Sequence, residues 1–328
     1  MRKFPLDQNR SPLVTAVIPV YNHEKYVRES VQSIIRQSYT NIELIVINDG
    51  SQDHSHEAVL TLTAECERRF VRFEYINREN RGVSATLNQA LGIAAGKYFS
   101  VLASDDVALP NKFSRLVEAL ESSDESAAAA FGNASFIDEH GRAAGLDTKG
   151  NVHEAGSCKT FGTFLDLYTR QRNFDYRIEF GSYRTLIGGN YIPAMSGVLK
   201  TAGIKEVGGW TEGNVLEDWE MWLKLSKQHK FLFIDETVAL YRIHGQNSQQ
   251  TMMPTLLRAS LTLVAREKEY CVRHGLTREW KSLSYNLLFA VLRDGDSPIK
   301  DKLRELRSAG VLSFIGFHLR ARCKRILS

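Results

Sequence analysis

Residues 98–106 read YFSVLASDD and join an apolar segment to two adjacent carboxylates. The part at 98–102, preceded by the turn residue Gly96, is expected to form a buried β-strand. Two acids at the carboxyl end of a strand are poorly explained by packing, whereas hard cations such as Mg²⁺ and Mn²⁺ take oxygen ligands. Ligands of open α/β sheets bind at that edge. The stretch therefore indicates an α/β fold with a divalent-cation site, although an Asp-Asp pair also occurs in surface turns.

Apolar and amphipathic segments alternate through the first part of the chain. Buried strands are predicted at 13–20, 42–47, 71–76, 98–102 and 127–131. Helices are predicted at 24–37, 53–69, 83–95 and 111–122. This alternation predicts an α/β protein with a mostly parallel central sheet flanked by helices.

The regular alternation ends after the fifth predicted strand. Residues 132–190 are rich in Gly, Asn and Asp and are expected to form a long connection over the sheet edge. A helix is then predicted at 217–228, with strands at 231–234 and 238–241, and the chain is helical from 254 onward. We therefore predict one domain at 1–248 and a C-terminal helical region at 249–328.

The basic charge of the chain is concentrated in its last segment. The 328 residues carry a net charge of +4, and residues 298–328 hold eight Lys/Arg against two Asp/Glu. Residues 311–328 are predicted to include an amphipathic basic helix, a pattern typical of binding to a membrane surface. The alternative is a docked terminal helix with solvated basic residues. A single short basic segment does not indicate nucleic-acid binding.

Other sequence features argue against several classes of protein. Cysteines at 66, 158, 271 and 323 have no CxxC spacing, so neither a zinc site nor a disulfide framework is expected. The N-terminal residues lack an apolar signal core. No apolar stretch approaches the roughly 18 residues of a spanning helix. We expect a cytoplasmic protein.

Polar residues follow the first two predicted strands. Tyr21 and Asn22 follow the first strand, in place of the Gly-rich loop of a dinucleotide-binding or nucleoside triphosphate-binding fold. Asp49 follows the second, where an acid could accept hydrogen bonds from a base or ribose. A helix cap and turn is the alternative for Asp49.

The third strand is also followed by polar residues. Gly82 suits a tight turn, and Arg81 beside it could reach a phosphate or be solvated. Asn88 lies on the helix that follows. The ends of three strands, near Tyr21, Asp49 and Asp105, are therefore expected at one edge of the sheet.

Two further acidic and basic groups lie in the second half. Glu217, Asp218 and Glu220 open the helix at 217–228 after a Gly-rich approach at 208–214. First-turn acids also favour the helix dipole, so simple capping is the alternative. Arg242 and His244 end the last strand and share one face if that strand is regular.

Taken in order, these motifs resemble glycosyltransferase family 2, with the GT-A fold. The resemblance spans about residues 12 to 248 and is carried by VIPVYN at 17–22, NDGSQD at 48–53, NRG at 80–82, ASDD at 103–106, ED at 217–218 and YRIH at 241–244. It implies an inverting enzyme that uses a nucleotide-diphospho-sugar and Mn²⁺ or Mg²⁺.

The resemblance also implies roles for individual residues. Those assigned to nucleotide-sugar binding are Pro19, Tyr21, Asn22, Asp49, Arg81, Gly82, Asn88, Asp105 and Arg242. Those assigned to the metal are Asp105, Asp106 and His244. Asp218 matches the catalytic base, with Glu217 and Glu220 beside it. Many members have Asp where this chain has Ala103, which leaves the division of roles between Asp105 and Asp106 open.

The expected function is sugar transfer in the synthesis of a bacterial surface polysaccharide, such as O-antigen, capsule or lipopolysaccharide. UDP is the first expectation for the nucleotide and dTDP the second, and the acceptor is a saccharide or a lipid-linked sugar. Peripheral contact with the cytoplasmic face of the inner membrane is expected through 311–328. The alternative is a catalytically silent nucleotide-sugar-binding partner or scaffold. A nucleotidyltransferase would require a Gly-rich, basic loop after the first strand.

Overall fold

A computed structural model of the chain describes residues 11–157, 160–170, 174–247 and 251–293. These residues form two compact units. The first comprises the described residues up to 185 together with 191–244, and the second comprises 186–190 and the described residues from 245 onward. The boundary predicted at residue 248 stays a prediction, and the basic segment at 311–328 lies outside the described residues.

The first unit is built on an eight-stranded sheet with the order β3-β2-β1-β4-β9-β6-β10-β5, beside a β7-β8 hairpin. The strands are β1 Val14–Val20, β2 Ile42–Asp49, β3 Arg72–Arg78, β4 Tyr98–Val101, β5 Val107–Ala108, β6 Ala127–Ile137, β7 Ala144–Leu146, β8 Val152–Glu154, β9 Gly197–Lys200 and β10 Lys230–Arg242. Neighbouring strands are parallel except that β9 runs antiparallel to β4 and β6, and β5 runs antiparallel to β10.

Helices connect the strands. They are α1 Val27–Ile35, α2 Ser55–Leu60, α3 Thr63–Arg69, α4 Val83–Ile93, α5 Lys112–Glu121, α6 Phe164–Thr169, α7 Tyr183–Leu186, α8 Thr201–Glu206, α9 Glu217–Ser226, α10 Met253–Arg266, α11 Lys268–Arg273 and α12 Thr277–Arg293. A short 3₁₀ helix spans Ala194–Ser196. The predicted α/β architecture with a mostly parallel sheet is confirmed.

The middle of the sheet is buried on both faces. Every residue of β2 is buried, and β1 is buried at all positions except Pro19. Consecutive positions on these strands are therefore apolar instead of alternating, which is the pattern of a parallel sheet covered on both sides. Burial of this kind made the strands recognisable from their sequence.

The strand directions bring several chain segments to one edge of the sheet. β1, β2 and β4 are parallel neighbours, so the turns that follow them lie at the same edge. β9 reverses direction between β4 and β6, which makes β6 and its parallel neighbour β10 run the same way as β4. The segments after Val20, Asp49, Val101 and Arg242 therefore meet at the carboxyl edge.

Several elements differ from those predicted, among them two helices and the last two strands. The helix expected at 24–37 begins only at Val27, because the turn before it is held by hydrogen bonds from the Asn22 and His23 N–H groups to Ser51 and Ser55, between β2 and α2. The helix expected at 53–69 is split into α2 and α3, and at the break the Thr61 hydroxyl donates to the Ala58 carbonyl. The two strands expected at 231–241 are one strand, β10, interrupted by register shifts.

The second unit contains α10, α11 and α12. Leu288 is fully buried in its core, where Tyr285, Leu261 and Leu292 pack together. The Trp280 indole donates to the Val264 carbonyl at 2.7 Å and fastens α12 to α10. Among the described residues of the whole chain, no helix combines the length and hydropathy needed to cross a bilayer.

Candidate active site

Three potential metal ligands meet at the carboxyl edge of the sheet. One ligand atom from each of His23, Asp105 and His244 lies within 4.8 Å of the others. His244 Nε2 is 3.0 Å from Asp105 Oδ2, and His23 Nδ1 is 3.9 Å from Asp105 Oδ1. Asp105 and His244 are buried, and His23 is partly buried. Two imidazole nitrogens and a carboxylate oxygen form a donor set that suits a first-row divalent metal.

The protonation states of this group also suit a cation. Burial alone would raise the pKa of Asp105, but the hydrogen bond from His244 and the charges of His23 and His244 bring that pKa below its ordinary value. Burial lowers the pKa of His23, outweighing the opposing charge of Asp105. A charged carboxylate and a neutral imidazole are the forms that bind metals.

Sequence reasoning missed His23. The backbone of the preceding residue, Asn22, has a φ of 53°, in the left-handed region, and this turn directs the chain at His23. The Asn22 and His23 backbone N–H groups donate to the hydroxyls of Ser51 (3.0 Å) and Ser55 (2.9 Å). Its ring Nδ1 lies 2.8 Å from Ser104 Oγ, in the turn after β4. A histidine directly after a strand that neighbours the Asp105 strand was the signal that could have found it.

Asp106, predicted as a metal ligand, does not belong to this group. Its side chain is buried, and Oδ1 accepts a hydrogen bond from the Arg242 backbone N–H at 2.9 Å. Burial, followed by the charge of Asp105, raises the pKa of Asp106 well above its ordinary value. The charge of buried Lys112, whose Nζ donates to the Met195 carbonyl at 2.7 Å, acts in the opposite direction. Asp106 therefore faces the interior and joins the end of β10 to the turn after β4.

Arg242 was predicted to contact the donor, but its side chain is 1% exposed. Its guanidinium donates to the Asp105 carbonyl at 2.8 Å, to the Asp138 carbonyl at 3.2 Å and to Glu29 Oε2 at 2.5 Å. It also lies over the Tyr26 ring, 5.1 Å from its centroid. Through these contacts Arg242 braces the turn that carries Asp105, and its contact with the donor stays a prediction.

The residues predicted to form a nucleoside wall lie at the same edge. Asp49 is buried, pairs with Arg78 at 2.7 Å, and accepts hydrogen bonds from the backbone N–H groups of Arg81 (2.9 Å) and Gly82 (2.8 Å). Gly82 has a φ of 86°, which only glycine adopts readily. Asp49 therefore shapes the turn before α4.

The other predicted donor-side residues differ in exposure. Tyr21 is 49% exposed, Arg81 is exposed, and Pro19 is partly buried. The Asn22 side chain is already engaged, because its Oδ1 accepts from the Gln52 backbone N–H at 2.8 Å. Tyr21, Arg81 and Gly82 are exposed, and Pro19 and Asn22 are partly buried, so these members of the set leave surface to a ligand.

The acid group lies at the start of α9. Asp218 Oδ1 accepts from the backbone N–H of Trp219 at 2.6 Å. Burial, and then the charge of Asp218, raises the pKa of Glu217 to about 8. Glu220 is buried, and its Oε2 accepts from Asn214 Nδ2 at 2.8 Å. Near neutral pH, Glu217 is therefore mostly uncharged and Glu220 holds the loop that precedes the helix.

One tyrosine relates the acid group to the metal-ligand group. Burial raises the pKa of the Tyr241 phenol well above its ordinary value, and the charges of Asp106, Asp105 and Asp218 add to the effect together with Tyr168. The Tyr241 ring packs against Phe136 and Phe164. Carboxylates of both motifs therefore contribute to the high pKa of this phenol.

Asn88, predicted to bind the donor, is committed elsewhere. Its Nδ2 donates to the Trp210 carbonyl at 2.8 Å, and its Oδ1 accepts from the Trp210 N–H at 2.9 Å. Both functions of the amide are used by one backbone unit. The Asn88 side chain therefore holds the loop before α9.

Comparison with known proteins shows the family and the fold of the chain. The family model described as "Glycosyl transferase family 2" matches residues 15–184, slightly more than half of the chain. The chain belongs to this family. The matched part includes Asp49, Asp105 and the strands that carry them, whereas Asp218 and His244 lie beyond its end.

One relative is similar to this chain in sequence. An uncharacterized glycosyltransferase of Rickettsia felis is 38% identical over 130 residues, which are 40% of this chain and 21% of the relative. The chain thus spans about a fifth of that relative's length.

The solved structures are more distant in sequence. The mannosyltransferase PcManGT of Pyrobaculum calidifontis, in complex with GDP-Man and Mn²⁺, has a TM-score of 0.60 at 15% identity, covering 99% of this chain and 84% of its own. Residues 1–349 of S. aureus TarS, in complex with UDP-GlcNAc, have a TM-score of 0.53 at 14% identity, covering 85% and 81%. At these identities the likeness concerns the fold, which is GT-A.

Proposed function

We propose that the chain is an inverting glycosyltransferase that moves a sugar from a nucleotide-diphospho-sugar to a saccharide or lipid-linked acceptor. The observation that carries the proposal is the group of His23, Asp105 and His244 at the carboxyl edge of the sheet. The proposal adds Asp218 as the carboxylate on the other side of the same cleft. A cation site and a carboxylate on one cleft are the two parts that such a transfer requires.

The donor is proposed to be a UDP-sugar, with a dTDP-sugar as the second choice. Two proteins of the same fold are described in complex with nucleotide-diphospho-sugars, GDP-Man and UDP-GlcNAc. The exposed Tyr21 ring offers a surface on which a base can stack, and the exposed Arg81 offers a cation for the diphosphate. Tyr21, in the turn after β1, and Arg81, in the turn shaped by Asp49, lie at the same edge of the sheet.

The leaving group is proposed to be stabilised by a divalent cation held by His23, Asp105 and His244. Mn²⁺ or Mg²⁺, when bound, would supply positive charge to the departing diphosphate. The residues of the chain contribute a buried charged carboxylate and imidazoles fixed in advance of substrate binding, so little reorganisation is needed.

The nucleophile is proposed to be an acceptor hydroxyl that loses its proton to Asp218. General-base assistance of this kind is worth typically about 10²–10⁴-fold in rate. Burial and the charge of Asp218 raise the pKa of Glu217 to about 8, so Glu217 is mostly protonated near neutral pH and is not proposed as the base. The hydroxyl attacks the anomeric carbon from the face opposite the nucleotide, and the configuration inverts.

The acceptor is proposed to belong to a bacterial surface polysaccharide: O-antigen, capsule or lipopolysaccharide. The basic amphipathic pattern of residues 311–328 supports an acceptor carried at an anionic membrane surface. In the competing proposal, the chain is a catalytically silent partner that binds the nucleotide-sugar but does not turn it over.

The experiment measures release of nucleotide from UDP-, dTDP- and GDP-sugars with Mn²⁺ present, for the wild type and for Asp218→Asn. We expect wild-type turnover with one nucleotide class, loss of turnover in Asp218→Asn, and donor affinity nearly unchanged in that variant. Donor binding without turnover in the wild type would favour the silent partner. Loss of donor binding in Asp218→Asn would place that residue in the donor pocket and contradict its role as the base.

A further inference from the structure

The loop at residues 208–216 is fastened to α4 by the side chains of Ser84 and Asn88, and Asn88 makes the two shorter hydrogen bonds. The amide donates to the Trp210 carbonyl at 2.8 Å and accepts from the Trp210 N–H at 2.9 Å, which makes a closed pair of hydrogen bonds with one residue. Among side chains of this length, only Asn offers a donor and an acceptor side by side. This pairing fixes the orientation of the loop as well as its distance from the helix.

The loop has been shaped to allow this close approach. Gly209 has a φ of 69°, and a Cβ at that position would lie 2.7 Å from Asn88 Oδ1. Trp210 is buried, and its ring lies 5.7 Å from that of Phe99 on β4. Glycine tolerates this positive φ and leaves room for the Asn88 side chain, and the buried Trp210 ring packs against Phe99. Together these features fix the loop at its contact with Asn88.

The remainder of the loop is held on both sides as it approaches the acid pair. On the α4 side, the Ser84 hydroxyl donates to the Asn214 carbonyl at 3.2 Å. On the α9 side, Asn214 Nδ2 donates to Glu220 at 2.8 Å, and Lys224 Nζ donates to the Gly209 carbonyl at 3.1 Å. The segment from Trp210 to Asp218 is therefore held in place as long as Asn88 keeps its contact with Trp210.

The same helix also begins at the predicted donor wall. α4 starts immediately after Gly82, whose N–H group is held by Asp49. A single rigid helix therefore links the turn proposed to bind the nucleotide to the loop that carries the acid pair. Asn88 contacts the loop, whereas the turn is held by Asp49.

We infer that Asn88 is a positioning residue: by pairing with the backbone of Trp210, it sets the place of the Asp218 carboxylate relative to the bound donor. This inference rests on the proposed function, because it assigns a role to the base of that reaction. A displacement of the order of 1 Å in a reacting group can cost about 100-fold in rate. Disturbing Asn88 should therefore lower the turnover number and leave nucleotide binding intact.

The test compares Asn88→Asp and Gly209→Ala with the wild type and with Asn41→Asp. Asn88→Asp keeps the shape of the side chain but presents a carboxylate to the Trp210 carbonyl. Gly209→Ala pushes on the same contact without changing Asn88. Asn41 is the matched control, since its Nδ2 also donates to a backbone carbonyl, that of Ser11 at 2.7 Å, next to the start of β2 and away from the carboxyl edge. The probes are UDP with Mn²⁺ in calorimetry and a turned-over UDP- or GDP-sugar in kinetics.

For Asn88→Asp and Gly209→Ala we expect the turnover number to fall about 10- to 100-fold while the dissociation constant of Mn²⁺·UDP changes by less than about 2-fold. Asn41→Asp should keep both values. Unchanged turnover in both loop variants would overturn the inference, and so would a parallel loss of UDP affinity, which would return Asn88 to the donor pocket. If one variant does not fold, the other decides. A wild-type chain that binds Mn²⁺·UDP but turns over no donor contradicts the proposed function instead.

Discussion

His244 Nε2 lies 3.0 Å from Asp105 Oδ2, although 139 residues separate the two along the chain. β9 lies between β4 and β6 and is antiparallel to both, so β4, β6 and β10 run in the same direction. The carboxyl ends of β4 and β10 therefore lie at one edge of the sheet, which makes the contact possible. His23 reaches the same point from β1. The sheet order thus assembles a ligand group from three distant segments.

The two imidazoles of this group predict metal selectivity. Mg²⁺ prefers oxygen ligands, whereas imidazole suits later first-row metals. We expect Mn²⁺ or Co²⁺ to bind more tightly than Mg²⁺ and His23→Ala to weaken Mn²⁺ binding by about 10-fold or more, as changes around metal ligands do. Titration of Mn²⁺ by electron paramagnetic resonance measures this, with exposed His140→Ala as the control. Equal Mn²⁺ affinity in His23→Ala and His140→Ala would remove His23 from the site.

The two neighbouring aspartates should respond differently to substitution. Asp105 faces His23 and His244, whereas Asp106 is buried against the Arg242 backbone. Asp105→Asn should abolish Mn²⁺ binding, because it removes the charged ligand. Asp106→Asn should retain binding, since an amide oxygen still accepts from the Arg242 N–H. Calorimetric titration of both variants with Mn²⁺ measures these effects. Loss of Mn²⁺ binding in Asp106→Asn together with retained binding in Asp105→Asn would contradict the assignment of Asp105.

Arg242 should contribute to stability more than to donor affinity. Lys cannot reproduce its contacts to the Asp105 carbonyl, the Asp138 carbonyl and Glu29. Disrupting a buried charged group of this kind costs about 3 kcal/mol in the free energy of unfolding. Urea unfolding of Arg242→Lys, beside the exposed control Arg115→Lys, measures that cost. Wild-type stability combined with a large loss of UDP affinity would restore Arg242 to the donor site.

Glu217 predicts a pH dependence of stability. Its pKa is raised from 4.5 to about 8 in the folded chain by burial and by Asp218. The unfolded chain therefore releases this proton first, and the free energy of unfolding falls as pH rises between those values. The Glu217→Gln variant lacks this loss. Its free energy of unfolding should therefore exceed that of the wild type by on the order of 3 kcal/mol at pH 9 but not at pH 4. Urea unfolding at pH 4, 7 and 9 provides the comparison.

The control for that prediction is Glu212→Gln, an exposed acid in the preceding loop. It should follow the wild-type pH profile. If the stability of Glu217→Gln follows the wild-type pH profile too, Glu217 titrates as an ordinary surface acid and the raised pKa of Glu217 is wrong.

The basic segment at 311–328 predicts peripheral membrane binding. Deleting it should reduce partitioning onto vesicles that contain anionic lipid and leave nucleotide release from soluble donor unchanged. Sedimentation with anionic and with neutral vesicles separates charge from hydrophobic insertion. Unchanged partitioning after the deletion would rule out a membrane role for this segment.

The sequence predicted the parts of the fold that depend on local pattern. β1, β2 and β4 are short apolar runs, so their strands and the parallel arrangement could be inferred from composition and spacing. β10 could not be recognised as one strand, because its register shifts interrupt the apolar pattern near Asp235 and Glu236. The C-terminal extension of β6 was missed because Asn133 and Ser135 have the composition of a loop.

The residue types of the site could be predicted, but not the direction in which each side chain points. Asp105 and Asp106 are adjacent, and only the backbone turn decides that one faces His244 and the other the interior. Arg242 and Asn88 carry polar groups that a sequence cannot distinguish from ligand contacts, although the folded chain uses both for its own backbone. His23 was overlooked because its role depends on the left-handed turn at Asn22.

The account is tested most directly by locating the metal in crystals grown with Mn²⁺ and UDP, using anomalous scattering. We predict a manganese peak bonded to Asp105 and to the imidazoles of His23 and His244, with the Asp218 carboxylate across the same cleft beside Tyr241. A peak on Asp106, or an Asp218 side chain that opens into a separate cavity, would contradict it.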